Sequence, residues 1–186
     1  MLAPLLPFKH LEHVAFILAI GPLAAVDATD HSISVLAEAW PNLRSLRLQR
    51  GRQSRIKAAG IPGVPPAVGT YPTIHALVIL ARHCPELSVL SLPRLSVSLP
   101  LPDEAEPVPL MNHPLESLTV QETVITWSGN RSLSGSLEFA MLLDRLFPRL
   151  LRYVILDGKE YIIQEVHNIL EVIRRAREHD RLRGGF

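Results

Sequence analysis

The residues best suited to covalent chemistry are the single cysteine, Cys84, and the histidine beside it, His83. A cysteine nucleophile needs a base within hydrogen-bond reach, but adjacent residues of a helix point in different directions. Cys84 also occupies the position that Trp40 and Phe147 hold in two similar segments, directly before a proline. Since a free cysteine packs as a small hydrophobe, we expect Cys84 to be buried and His83 to be exposed, with no catalytic role for either.

Other chemical motifs are missing from the sequence. His10 and His13 lie three residues apart, but they belong to no pattern that binds zinc. The chain contains no H-E-x-x-H, no Walker A loop, no G-x-G-x-x-G and no G-x-S-x-G. One cysteine also cannot form a disulfide framework or a multi-cysteine metal site. We therefore expect a protein that is not an enzyme and that uses no cofactor and no metal.

A basic stretch suggests two kinds of surface. Six basic residues fall within fourteen positions that hold no acidic residue: Arg44, Arg47, Arg50, Arg52, Arg55 and Lys57. Such a run is either a solvated loop or a site for an acidic or phosphorylated peptide, because guanidinium groups bind carboxylates and phosphates in pairs of hydrogen bonds. Aromatic residues make up only 5% of the chain and do not alternate with the arginines, so a nucleic-acid partner is not expected.

These residues lie within a repeated pattern. Residues 36–48 (LAEAWPNLRSLRL) and 80–92 (LARHCPELSVLSL) match at a spacing of 44 positions, with Pro41 and Pro85 as the common reference. A third copy reaches Pro148 and continues as Leu151-x-x-Val154-x-Leu156. Each copy predicts a helix that ends at the proline and is followed by an L-x-x-L-x-L strand. Repeats of this type bury their leucines by stacking, which predicts a binding scaffold.

The repeat predicts the elements of the whole chain. Strands are expected near 11–16, 43–48, 87–92, 115–120 and 151–156. Helices are expected after the capping residues Thr29, Thr73 and Ser134 or Ser136, and a C-terminal capping helix is expected at 160–181. The proline-rich stretches 51–72 and 93–114 are predicted to be loops. The predicted fold is a single domain over 1–186, an α/β irregular leucine-rich repeat solenoid with parallel strands on one face and helices on the other.

Composition and charge limit where the protein works. The net charge of +1 gives no general attraction to nucleic acid or to an anionic membrane. Val14 to Val26 is an apolar run that could be a signal-peptide core, but it is too short to span a bilayer as a helix. Because Glu12 and His13 precede it, we favour a buried strand that runs into a buried loop. One cysteine is typical of a reducing compartment, so we expect an intracellular location, in the cytoplasm or nucleus, and no membrane partner.

The segments LAEAWPNLRSLRL and LARHCPELSVLSL, with proline-rich inserts between units, resemble the leucine-rich repeat region of fungal-type F-box proteins. This resemblance covers most of residues 5–156. It implies that the repeats recognise a protein substrate of a ubiquitin ligase. It also implies that the Skp adaptor is bound by a separate F-box, so Skp is expected as a partner only if an F-box precedes these residues, because none is visible in them. The alternatives are a free-standing repeat scaffold unrelated to ubiquitination and, more distantly, an enzyme with an unrecognised site.

The repeat departs from the regular leucine-rich pattern at one position. Three residues after the last strand leucine, where asparagine or cysteine is usual, this chain has Gly51, Leu95, Thr123 and Lys159. A continuous asparagine ladder is therefore not expected.

Candidate binding residues follow from strand alternation. In L-x-x-L-x-L the leucines face the interior, so the x positions are expected on the free face of the sheet. The candidate protein-binding residues are Glu12, Arg44, Arg47, Ser88, Ser91, Glu116, Thr119, Arg152 and Tyr153. Arginine and tyrosine would dominate the binding energy, as they do at many interfaces.

Overall fold

The computed structural model describes residues 5–18, 29–50, 71–99, 112–127, 133–157 and 160–183. These residues form an α/β structure. The strands are β1 (His13–Leu18), β2 (Ser45–Arg50), β3 (Val89–Leu99), β4 (Ser117–Trp127) and β5 (Arg152–Asp157). The helices are α1 (Asp30–Ala39), α2 (Ile74–His83), α3 (Leu133–Leu146) and α4 (Glu160–Arg183).

All five strands belong to one parallel sheet in the order β1-β2-β3-β4-β5. The register aligns one apolar row across the sheet. Val14 is paired with Leu46, Leu46 with Leu90, Leu90 with Leu118 and Leu118 with Tyr153. Neighbours in sequence are therefore neighbours in the sheet, and the predicted α/β class with parallel strands is confirmed.

The chain enters successive strands through the same hydrogen-bonded joint. A carbonyl oxygen just before one strand accepts two consecutive N–H groups from the start of the next strand. Glu12 O accepts from Arg44 N at 2.7 Å and from Ser45 N at 2.9 Å. The carbonyl oxygens that accept in this way are those of Glu12, Arg44, Ser88 and Glu116. The joint occurs at all four strand junctions, so the backbone repeats even where the side chains differ.

The helices cover one face of the sheet. α1 packs beside α2, α2 touches α3, and α3 packs beside α4. The buried strand side chains and the buried helix side chains form one apolar cluster, which includes Leu46, Leu48, Leu90, Leu92, Leu118 and Val120 from the sheet and Ile33, Leu36, Leu77, Leu80, Leu143 and Leu146 from the helices. Between the strand positions of this cluster, Ala15, Ile17, Arg47 and Val154 are exposed. The sheet therefore has one face packed against helices and a second face on which these residues are exposed. Parallel sheets are usually covered on both faces, so the exposed face is unusual.

The first two helices begin and end as predicted. Thr29 Oγ1 accepts the N–H of Ser32 at 3.2 Å, and Thr73 Oγ1 accepts that of His75 at 3.1 Å. Trp40 and Cys84 end these helices with their own N–H groups bonded to carbonyls one turn back. Proline follows in both cases. The helix stops there because proline has no N–H to donate the next helical hydrogen bond.

The strand bounds correct the prediction. The strands begin at residues 13, 45, 89, 117 and 152, one or two residues later than expected. The predicted loop 93–114 is wrong for residues 93–99, because β3 continues past Pro93 and runs beside β4 to Leu99. Pairing of β3 with β2 stops at Ser91, and Ser96 N then donates to Pro72 O at 2.8 Å. On this edge of β3, the segment that holds Pro72 therefore replaces β2 as the neighbour, which the local sequence of β3 could not indicate.

The C-terminal helix ends at Arg183, two residues beyond the predicted 181. Residues 51–70 and 100–111, which make up most of the two predicted loops, lie outside the described residues, as do residues 19–28 of the apolar run.

The orientation of β5 also differs from the prediction. Leu150 is buried, whereas Leu151 is 58% exposed and Val154 is 41% exposed. The inward position of the row is held by Tyr153, 7% exposed. A shift of one residue exchanges the two faces of a strand. The proline spacing explains the result: Leu150 follows Pro148 by two positions, as Leu43 follows Pro41.

Candidate functional site

The side chains that point away from the apolar cluster form a continuous surface, which we call the outer face. Strand alternation and register place them in rows. One row holds His13, Ser45, Val89, Ser117 and Arg152, and the next holds Ala15, Arg47, Ser91, Thr119 and Val154. A third row, just before the strands, holds Glu12, Arg44, Ser88, Glu116 and Leu151. Eight of the nine predicted binding residues fall in these rows, and Tyr153 does not.

The β1–β2 end of the outer face carries paired charges. Arg44 Nε donates to Glu86 Oε2 at 2.9 Å, and Arg44 Nη1 lies 3.7 Å from Glu12 Oε2. The hydrogen bond to Glu86, reinforced by the charge of Glu12, raises the pKa of the Arg44 guanidinium. Sequence alone placed Arg44 in a stretch without acids, whereas the fold brings a carboxylate from each neighbouring unit. Arg44 is therefore part of a mixed-charge cluster.

The basic stretch as a whole is only partly described. Arg47 is exposed on β2. Arg52, Arg55 and Lys57 lie outside the described residues, and so does the side chain of Arg50. A site for an acidic peptide on this stretch stays a prediction.

The centre of the outer face is rich in hydroxyl groups. Ser88 Oγ donates to Arg44 O at 3.1 Å, so this side chain is already used within the protein. Ser91 is aligned between Arg47 and Thr119 but is only 5% exposed, and its Oγ has no hydrogen-bond partner among the described residues. We expected Ser91 to be open to a partner, and its burial contradicts that expectation.

The β5 end of the outer face is apolar. Leu151 and Val154 are exposed there beside Arg152, which is also exposed. The predicted outward position of Tyr153 is wrong, because its ring packs edge-on against Phe139 at 6.3 Å on the covered side. Burial raises the pKa of the Tyr153 hydroxyl. Sequence reasoning therefore missed Leu151 and Val154, although the position of Pro148 gave the signal needed to find them.

A second polar cluster joins β3 to β4 and was also missed. Arg94 Nε donates to Glu122 Oε2 at 2.6 Å, and its guanidinium lies 4.6 Å from the centre of the Tyr71 ring while bonding the Tyr71 hydroxyl. Arg94 fell in a predicted loop, so it was given no role. The cluster holds the segment before α2 against the continued part of β3.

Cys84 and His83 lie as predicted. Cys84 is fully buried, with Sγ at 3.7 Å from Trp40 O, and His83 is exposed. Burial raises the pKa of the Cys84 thiol to about 11, which makes it a poor nucleophile at neutral pH. Across the described ranges, no group of three His, Cys, Asp or Glu side chains could hold a metal ion. No helix in the same ranges is long and apolar enough to cross a bilayer.

Comparison with known proteins gives no relative, since no family model, no curated protein and no solved structure matches this chain. The function must therefore be argued from the outer face itself. That face offers a charged end, a hydroxyl-rich centre and an apolar end.

Proposed function

We propose that this chain is a protein-interaction scaffold, a leucine-rich repeat solenoid that binds a protein partner on the outer face. One observation carries the proposal: the same two-donor joint recurs at all four strand junctions, and the helices among the described residues cover only one side of the resulting sheet. Stacked units of this kind present their uncovered side as an extended binding surface.

The chemistry of the outer face favours a protein over other ligands. Leu151 and Val154 offer apolar contact area, and the cluster of Arg44, Glu12 and Glu86 carries both signs of charge. Nucleic acid would require a surplus of unpaired positive charge, whereas Arg44 is already paired. A partner with an apolar patch and a neighbouring polar rim fits this arrangement best.

We further propose that the bound protein is a substrate of an F-box type ubiquitin ligase. The support is the resemblance of residues 36–48 and 80–92 to the repeats of fungal-type F-box proteins, together with the helix, turn and strand that both segments form. In this arrangement the Skp adaptor is bound by an F-box separate from these residues. A free-standing scaffold unrelated to ubiquitination is the alternative, and the experiment below separates the two.

The test is affinity purification with crosslinking, followed by mass spectrometry. One variant changes the outer face, Arg47→Glu with Val154→Asp. Its matched control makes similar changes on the exposed side of α3, Arg145→Glu with Met141→Asp. We expect both variants to fold, and we expect captured proteins to be lost from the first variant only.

Two results decide between the readings. Equal capture by the outer-face variant and the unchanged chain would overturn the binding surface. If the partners depend on the outer face but Skp and cullin subunits are never recovered, including with an extended chain that carries an F-box, the scaffold stands and the ligase assignment fails.

A further inference from the structure

His113 is the one buried histidine among the eight in the chain, and both of its ring nitrogens are in use. Nε2 lies 2.9 Å from Cys84 O, and Nδ1 accepts the N–H of Leu115 at 3.2 Å. A carbonyl oxygen can only accept and a backbone N–H can only donate. The ring must therefore be neutral, with its proton on Nε2.

This histidine joins the two halves of the helix layer. Cys84 directly follows α2, and Phe147 directly follows α3, while α2 and α3 themselves touch only slightly. The His113 ring lies between them, bonded to Cys84 on one side and edge-on to Phe147 at 5.2 Å on the other. Like Trp40, Cys84 and Phe147, His113 is buried and directly precedes a proline. We call the contact of His113 with Cys84, Leu115 and Phe147 the histidine joint.

We propose that the histidine joint is proton-sensitive, and that protonation of His113 loosens the α1–α2 half of the molecule from the α3–α4 half. An imidazolium has two N–H donors and no acceptor. The Leu115 N–H would then face another N–H, and a charge would be buried at this site.

The described contacts of the ring include no acidic group that would offset this charge. The ring meets the Cys84 carbonyl after α2, Phe147 after α3 and the Leu115 N–H of its own segment. In agreement, burial lowers the pKa of His113, and the bond to the Cys84 carbonyl opposes this only in part.

The sign of the effect follows from linkage. The unfolded chain binds the His113 proton more readily than the folded chain, so stability is highest above the unfolded pKa of about 6.5 and falls as pH decreases below it. Each pH unit in this range lowers the folding equilibrium constant by up to about tenfold.

The experiment measures urea unfolding of the full chain between about pH 7.5 and 5.5, where most carboxylates stay ionised. His113→Gln keeps a donor for the Cys84 carbonyl but cannot titrate, and His83→Gln removes an exposed histidine next to Cys84 as the matched control. We expect the unchanged chain and His83→Gln to lose up to about tenfold in the folding constant over the lowest pH unit. We expect His113→Gln to lose much less. Equal losses in all three proteins would overturn the proposal.

A second measurement covers the case in which His113→Gln does not fold. The ring protons of His113 in the unchanged chain can be followed by NMR as pH is lowered. Titration of His113 below about pH 6.5, accompanied by faster hydrogen exchange at Leu115 than in α1, supports the joint. Titration at or above that pH, or exchange that rises equally in α1, overturns it.

Discussion

The two ends of the sheet differ in how their helices are held together. Near the β1 end, the Asp30 carboxylate at the start of α1 accepts both the N–H and the hydroxyl of Thr73, the residue that caps α2, each at 2.6 Å. Near the β5 end, α3 and α4 are linked along their sides. Ser136 donates to Glu165 at 2.6 Å, and Arg177 pairs with Asp144.

This difference shows what the repeat requires. The first two helical units match in their caps, turns and strand leucines at a spacing of 44 residues, whereas the last one has Tyr153 in the apolar row and a 24-residue helix after it. The joint at Glu116 O nevertheless has the same form as that at Glu12 O. The backbone joint is therefore kept while the side chains around it vary.

The largest effect expected is the loss of a ring from the residue that ends a helix. Trp40 is fully buried and Nε1 donates to Leu5 O at 3.3 Å, while Phe147 holds the equivalent place after α3. Trp40→Ala and Phe147→Ala should each lower the free energy of unfolding by about 3–5 kcal/mol. Urea denaturation followed by circular dichroism measures both values.

A milder variant separates packing from hydrogen bonding at the same place. Trp40→Phe keeps most of the ring but loses the hydrogen bond to Leu5 O. Its cost in the free energy of unfolding should exceed the cost of the smaller ring alone by about 1 kcal/mol.

If Phe147→Ala lowers the free energy of unfolding by less than about 1 kcal/mol, Phe147 and Trp40 are not equivalent, and contacts with α4 stabilise the last part of the fold instead.

The next effect tests the orientation of β5. Tyr153→Ala removes a buried ring that packs against Phe139 and should cost about 3 kcal/mol, whereas Leu151→Ala changes an exposed side chain and should cost less than about 0.5 kcal/mol. The same denaturation measurement compares the two. If Leu151→Ala costs more than Tyr153→Ala, the register predicted from sequence, with Leu151 and Val154 facing the interior, is the correct one.

The first units could be predicted from sequence because several signals agree in them. Thr29 and Thr73 mark the helix starts, proline marks the ends, and the strand leucines alternate without ambiguity. The last unit offers two adjacent leucines, Leu150 and Leu151, and apolar spacing alone fits either one. Beyond Pro93, β3 bonds to the segment before α2, through Ser96 N and Pro72 O. This contact joins residues far apart in sequence, so no local pattern could predict it.

The outer face could be predicted in position but not in character. Alternation placed Arg47 and Thr119 on this face, and Arg152 lies there too although the predicted register of β5 was shifted by one residue. The pairing of Arg44 with Glu12 and Glu86 joins residues that precede three different strands, and alternation did not indicate that Ser91 would be only 5% exposed. Spacing gives the face on which a side chain lies, but its partners come from neighbouring strands and the turns before them.

A further effect, smaller than the loss of a buried ring, concerns the two kinds of contact between neighbouring helices. Asp30→Ala removes both acceptors of Thr73 and should lower the free energy of unfolding by about 1–2 kcal/mol, because a capping N–H and a hydroxyl lose charged partners. Asp144→Asn should cost less. Burial raises the pKa of Asp144 despite Arg177, so stability is lost as pH rises from the unfolded pKa of this carboxyl through its raised folded pKa, and a neutral amide avoids that loss. Denaturation at neutral pH measures both, and a larger loss for Asp144→Asn would mean that the charged pair, and not the cap, is the stronger link between helices.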